Sequence, residues 1–144
     1  MKIRRLLATK GREVITIGPE QAVRDAVALL AEHNIGALVV VDDGGTPVGI
    51  ISERDIIRRA ASSETLFDEL ISDLMTRDVI TGVPQDDVYS VIHTMTEKRF
   101  RHLPIVDEGQ LIGIISIGDV VKAQRDTYRG EIDTLETQIM ADEA

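Results

Sequence analysis

The chain has no cysteine and no tryptophan, and only two phenylalanines and two tyrosines. Without cysteine there is no disulfide frame, no thiolate nucleophile and no Cys-ligated zinc, which removes several enzyme classes. Aromatics at 3% leave no stacking platform for single-stranded nucleic acid. A net charge of −9 argues against a nucleic-acid partner, because phosphate backbones are held mainly by Lys and Arg. An anionic ligand would therefore need a local basic cluster. No apolar run approaches the roughly 20 residues that cross a bilayer, so no membrane span is expected. The basic, then apolar start Met1 to Ala8 is cut short by Thr9-Lys10-Gly11-Arg12-Glu13, too early for a signal peptide, and cytoplasmic residence is the expectation. Halves of about 60 residues are marginal alone, so a chain of 144 residues is expected to pack them on a shared core.

What is present is one unit written twice. Val14-Ile15-Thr16, Pro19, Val23, Glu32, Leu38, Val41 and Asp42 recur as Val79-Ile80-Thr81, Pro84, Val88, Glu97, Leu103, Val106 and Asp107. After a one-residue deletion in a turn, Gly49-Ile50-Ile51-Ser52-x-x-Asp55 recurs as Gly113-Ile114-Ile115-Ser116-x-x-Asp119. Each copy starts with a short β run, then a helix that Pro19 or Pro84 is expected to open. Val23, Ala26, Val27 and Leu30, matched by Val88, Val91, Ile92 and Met95, give the helix its core stripe. A β-branched run from Ala37 to Val41 and a second from Val48 to Ile51, joined at Asp42-Asp43-Gly44-Gly45, predict a hairpin. A second helix starts near Ser52 or Ser116. The fold class is α/β, of the α+β kind: two β-α-β-β-α repeats as a pseudo-twofold pair with a C-terminal helix. Expected segments are a helical 1–13, copy one over 14–61, a partly helical connector 62–78, copy two over 79–124 and a helix over 125–144. Phe67, Leu70, Ile71 and Leu74 keep helical spacing in the connector, and Ile132, Leu135 and Ile139 form a stripe that packs on the body or on a second subunit.

The paired Gly-Ile-Ile-Ser-x-x-Asp blocks, with Arg101-His102-Leu103-Pro104-Ile105-Val106-Asp107 before the second, resemble those of a tandem pair of cystathionine-β-synthase (CBS) domains, a Bateman module. The resemblance spans about Val14 to Ala61 and Val79 to Ala123. It implies an adenine-nucleotide ligand (AMP, ADP, ATP, NAD or S-adenosylmethionine) in clefts between the repeats, and a homodimer. It implies also that Asp55 and Asp119 accept hydrogen bonds from a ribose, that Ser52 and Ser116 help to place the sugar or phosphate, and that Thr16 and Thr81 frame the base or ribose, where strand propensity explains a Thr equally well.

Sequence physics supplies a plainer account of the same residues. Ser with an acid three positions on is a capping box, although such boxes favour Glu or Gln where this chain has Asp twice. Gly36-Ala37 reads as a helix C-cap and strand start, while the second copy has Arg101-His102 there. Arg101 and His102, at a strand entry, could meet a phosphate. Lys98 and Arg99 suit a helix C-terminus and solvent, and fall outside the expected site. Arg54, opposite Gly118 in the other copy, is a surface residue or a phosphate ligand. His33 and His93 have no partner at metal-ligand spacing. The nucleotide set is thus Thr16, Gly36, Ala37, Ser52, Arg54, Asp55, Thr81, Arg101, His102, Pro104, Ser116 and Asp119, with no catalytic or metal residue and no catalytic cofactor. The leading expectation is a nucleotide-sensing regulatory module acting on an unidentified protein. The alternative is a constitutive interaction module with empty clefts. An enzyme lacks an oriented nucleophile and base.

Overall fold

The computed structural model describes residues 1–11 and 13–143; Arg12 in the N-terminal segment and Ala144 in the C-terminal one lie outside the described residues. Helix α1 (Ile3–Lys10) precedes copy one, which is β1 (Thr16–Ile17), α2 (Val23–His33), β2 (Ala37–Val41), β3 (Pro47–Ser52) and α3 (Glu53–Ala60). A 3-10 turn, Leu66–Asp68, and a short α4 (Ile71–Leu74) form the connector. Copy two is α5 (Val88–Lys98), β4 (His102–Asp107), β5 (Gln110–Ser116) and the single helix α6 (Ile117–Glu143).

In copy one, β1 runs parallel to β2 and β2 pairs antiparallel with β3. The matching first strand of copy two shrinks to one bridge, Gly82 to Ile105. The cause is Pro104, which stands where Val39 stands in copy one. Gly82 exchanges bonds with the Pro104 carbonyl and the Val106 amide, but Pro104 has no N–H to extend the ladder upstream.

Two other expectations shift for local reasons. Neither Pro19 nor Pro84 opens a helix: α2 and α5 begin at Val23 and Val88. The residues just before the helices pair instead with segments remote in sequence, Ala22 with Leu70 and Asp87 with Lys2, which holds both N-cap residues extended. The helix C-caps are Asn34 and Arg99, both left-handed with φ of 52° and 58°, two residues before Gly36 and Arg101. Gly36 itself has no positive φ.

Buried apolar residues form two clusters, one per copy, where a shared core was expected. The halves are tied together by exchange of covering segments. Ile3, Leu6 and Leu7 of α1 enter the cluster of copy two, while Leu66 and Ile71 of the connector enter that of copy one. Matched backbone bonds show that the segments are counterparts: Val23 N–H donates to Glu69 and Val88 N–H to Met1, and Ile71 N–H donates to Gln21 and Ile3 N–H to Asp86. Of the expected stripe, Ile71 is buried and Leu74 packs on the core of copy one, while Phe67 and Leu70 stay exposed, with the Arg24 guanidinium 5.7 Å from the Phe67 ring.

Candidate functional site

The last residue of β3, Ser52, is the N-cap of α3. Its Oγ accepts from the Asp55 amide at 3.3 Å, and its own amide and hydroxyl donate to Asp55 Oδ2 at 2.8 and 3.0 Å. Ser116 and Asp119 repeat the box at the start of α6, at 2.8 and 3.2 Å. Both Ser-x-x-Asp elements therefore cap helices. Capping uses only one carboxylate oxygen of Asp55; among the described residues Oδ1 takes no hydrogen bond.

Asp55 lines a cavity of about 530 Å³ between the copies. Copy one contributes Gly36, Ser52, Glu53, Arg54 and Arg58; the strand-like entry to copy two contributes Thr76, Asp78, Val79 and Ile80. Arg99 to His102, Ser116 and Ile117 close the far side. Among the described residues, five Lys or Arg (Arg54, Arg58, Lys98, Arg99, Arg101) line it against three carboxylates (Glu53, Asp55, Asp78). In a chain of net charge −9, this is a local cationic surface, suited to an anionic group.

Seven sequence-selected residues thus come together: Gly36, Ser52, Arg54, Asp55, Arg101, His102 and Ser116. The others lie elsewhere. Thr16 is exposed on β1, Ala37 and Pro104 are buried in strands, and Thr81 lines a separate pocket of about 150 Å³ beside Phe100 and Ser90. Asp119 lines neither cavity. Sequence reasoning leaves out Lys98 and Arg99, yet both line the large cavity. Their solvent-facing reading treats the helix end in isolation, whereas the left-handed Arg99 turns the chain from α5 back toward β4 at the cleft.

The copies meet closely beside Gly36, where a Cβ would lie 3.5 Å from Glu53 Oε1 and 3.6 Å from His102 Nε2. Burial and the nearby Lys10 push the His102 imidazole below its ordinary pKa, with Glu53 and Asp119 opposing; it is a neutral lining at neutral pH. Asp119 differs from Asp55 in its partner. Lys10 Nζ donates to Asp119 Oδ2 at 2.5 Å and to the Ile114 carbonyl at 2.6 Å. Burial alone would raise the Asp119 pKa, but the Lys10 and Ser116 hydrogen bonds outweigh it and hold the carboxyl below its usual range.

Comparison with known proteins adds three findings. The family profile described as CBS domain matches residues 7–62 and 71–126. The CBS domain-containing protein CBSX3, mitochondrial, of Arabidopsis thaliana is 37% identical over 125 residues, covering 83% of this chain and 61% of that protein, so the chain spans less than two thirds of it. YhcV of Bacillus subtilis is 31% identical over 116 residues, covering 81% and 82%. Among solved structures, the CBS-domain containing protein ATU1752 from Agrobacterium tumefaciens superposes with TM-score 0.83 at 39% identity, over 86% of this chain and 99% of that one. The CBS domain pair of MJ0100, in complex with 5-methylthioadenosine and S-adenosyl-L-methionine, superposes with TM-score 0.80 at 27% identity, over 88% and 98%.

Proposed function

The chain belongs to the CBS domain family and carries the domain twice, and from that premise we propose that it is a regulatory module binding an adenine nucleotide in the cleft between the copies. AMP, ATP and NAD are the ligands in view. The observation that carries the reading is Asp55, whose second carboxylate oxygen is left over from helix capping in a cavity with a cationic lining. That oxygen is suited to a ribose hydroxyl, a charge-assisted hydrogen bond. Arg54, Arg58, Arg99 and Arg101 are suited to phosphate, and Val79, Ile80 and Phe100 to the base. A volume of about 530 Å³ falls in the range of small-ligand pockets. The adenosine compounds in the MJ0100 structure support the class. The output is regulation of another protein, with no reaction of its own.

A panel of AMP, ADP, ATP, NAD and S-adenosylmethionine tests this by thermal melting. A ligand at 100 times its dissociation constant adds about 2.7 kcal/mol, which moves the midpoint by several degrees. A flat response to every compound would overturn the reading.

One observation favours a second reading, a self-association module. Ile132, Leu135 and Ile139 on α6 are 54%, 58% and 56% exposed, in 3-4 spacing that suits a second copy of the helix.

No helix among the described residues is long and apolar enough to cross a membrane.

A further inference from the structure

The two copies present two Ser-x-x-Asp boxes, but the chain treats them differently. We infer that Lys10 is an intramolecular occupant of the Asp119 site, so that the protein binds one nucleotide per chain and Lys10 sets that number. This rests on the proposed role of Asp55 and extends it to the counterpart site.

The geometry comes from the exchanged segments. Leu7 stands over Gly113 as Met75 stands over Gly49, each within 2.6 Å of where a Cβ would be. Three residues on from Leu7 and Met75 stand Lys10, still inside helix α1, and Asp78, past the end of α4, so the two match in sequence count and differ in backbone. Around Asp55 that counterpart is a carboxylate, which lines the open cavity without reaching Asp55. Around Asp119 it is an ammonium, which binds the carboxylate at 2.5 Å and the neighbouring Ile114 carbonyl at 2.6 Å. In copy one the equivalent Ile50 backbone instead exchanges bonds with Thr76, leaving the carboxylate to the cavity. The Lys10 and Asp119 side chains are 32% and 27% exposed, so the pair is shielded more than an ordinary surface ion pair. A ribose diol needs the same carboxylate and would have to displace the ammonium.

Two measurements on the full chain test the inference, one with ligand and one without. In calorimetric titration with AMP, the wild type is expected to bind one equivalent, and Lys10→Gln and Lys10→Ala two. Two equivalents in the wild type, or one in both variants, would overturn it. Acetylation of the lysine amines, followed by mass spectrometry, needs no ligand. Lys10 should react several-fold more slowly than the exposed Lys122, and Asp119→Asn should remove that protection. Equal rates at Lys10 in wild type and Asp119→Asn would overturn the inference even if AMP binds. If AMP does not bind, the titration is made with the member of the panel that does; if none of AMP, ADP, ATP, NAD and S-adenosylmethionine binds, the nucleotide reading falls, and the acetylation result decides the place of Lys10 by itself.

Discussion

Leu7 closes over Gly113: a Cβ added at that glycine would sit 2.6 Å from Leu7 Cδ2, and Leu7 is fully buried. This contact joins the segment before copy one to the hairpin of copy two. Gly113→Ala should overpack the joint and cost about 1–3 kcal/mol. In a Leu7→Ala background, itself costing about 2–5 kcal/mol, the same substitution should cost much less, because the methyl enters vacated space. Urea unfolding of the four proteins measures the coupling; additive losses would show that the two residues do not meet.

Arg99 is held left-handed, with φ 58°, a conformation that favours glycine. Arg99→Gly should therefore stabilise the fold by about 0.5–1 kcal/mol. Because Arg99 also lines the cavity, the variant should lose affinity for ATP while its affinity for adenosine changes little. Unfolding and titration read the two effects; a variant that is more stable with unchanged ATP affinity would remove Arg99 from the site.

The scaffold was legible in the sequence because repeats and apolar periodicity are local signals. Val23, Ala26 and Leu30, and their counterparts Val88, Val91 and Met95, are buried as their spacing predicts. What escaped depends on contacts distant in sequence. Pro19 and Pro84 look like helix openers until the strand-like pairing of Ala22 and Asp87 with remote segments is seen. Pro104 shortens a ladder whose other strand lies about 20 residues earlier. Lys10 reads as part of a polar break after an apolar run, and nothing local connects it with Asp119, 109 positions on.

Stability should depend on pH through two groups. Asp119 is held below its usual pKa by hydrogen bonds from Lys10 and Ser116 that outweigh its burial. A depressed carboxylate contributes stability above its unfolded value of about 3.9, and that contribution is lost as pH falls through the folded pKa. Burial, then Lys10, lowers the His102 pKa, so the folded state resists protonation. That stability is complete above the unfolded value of about 6.5 and declines as pH falls below it. Urea midpoints from pH 8 down to pH 3 should fall less steeply below pH 6.5 in His102→Gln, and less steeply toward pH 3 in Lys10→Gln. Curves parallel to the wild type would contradict both assignments.

The apolar stripe on α6 carries the self-association reading. Truncation after Gly130 removes Ile132, Leu135 and Ile139, whose exposure leaves the body of the fold intact without them. If the stripe joins two copies, sedimentation should show the wild type as a dimer and the truncated chain as a monomer, with nucleotide affinity retained. A wild type that sediments as a monomer would dismiss self-association through this helix.

The most direct test concerns the Asp55 carboxylate. Asp55→Asn keeps the shape of the side chain and removes its charge, and circular dichroism of the variant checks that the helix persists. Losing a charge-assisted hydrogen bond of about 1.5–3 kcal/mol should weaken the tightest ligand of the adenine panel tenfold to a hundredfold in calorimetric titration. Unchanged affinity in a folded Asp55→Asn would contradict the account, leaving Asp55 as a helix cap alone.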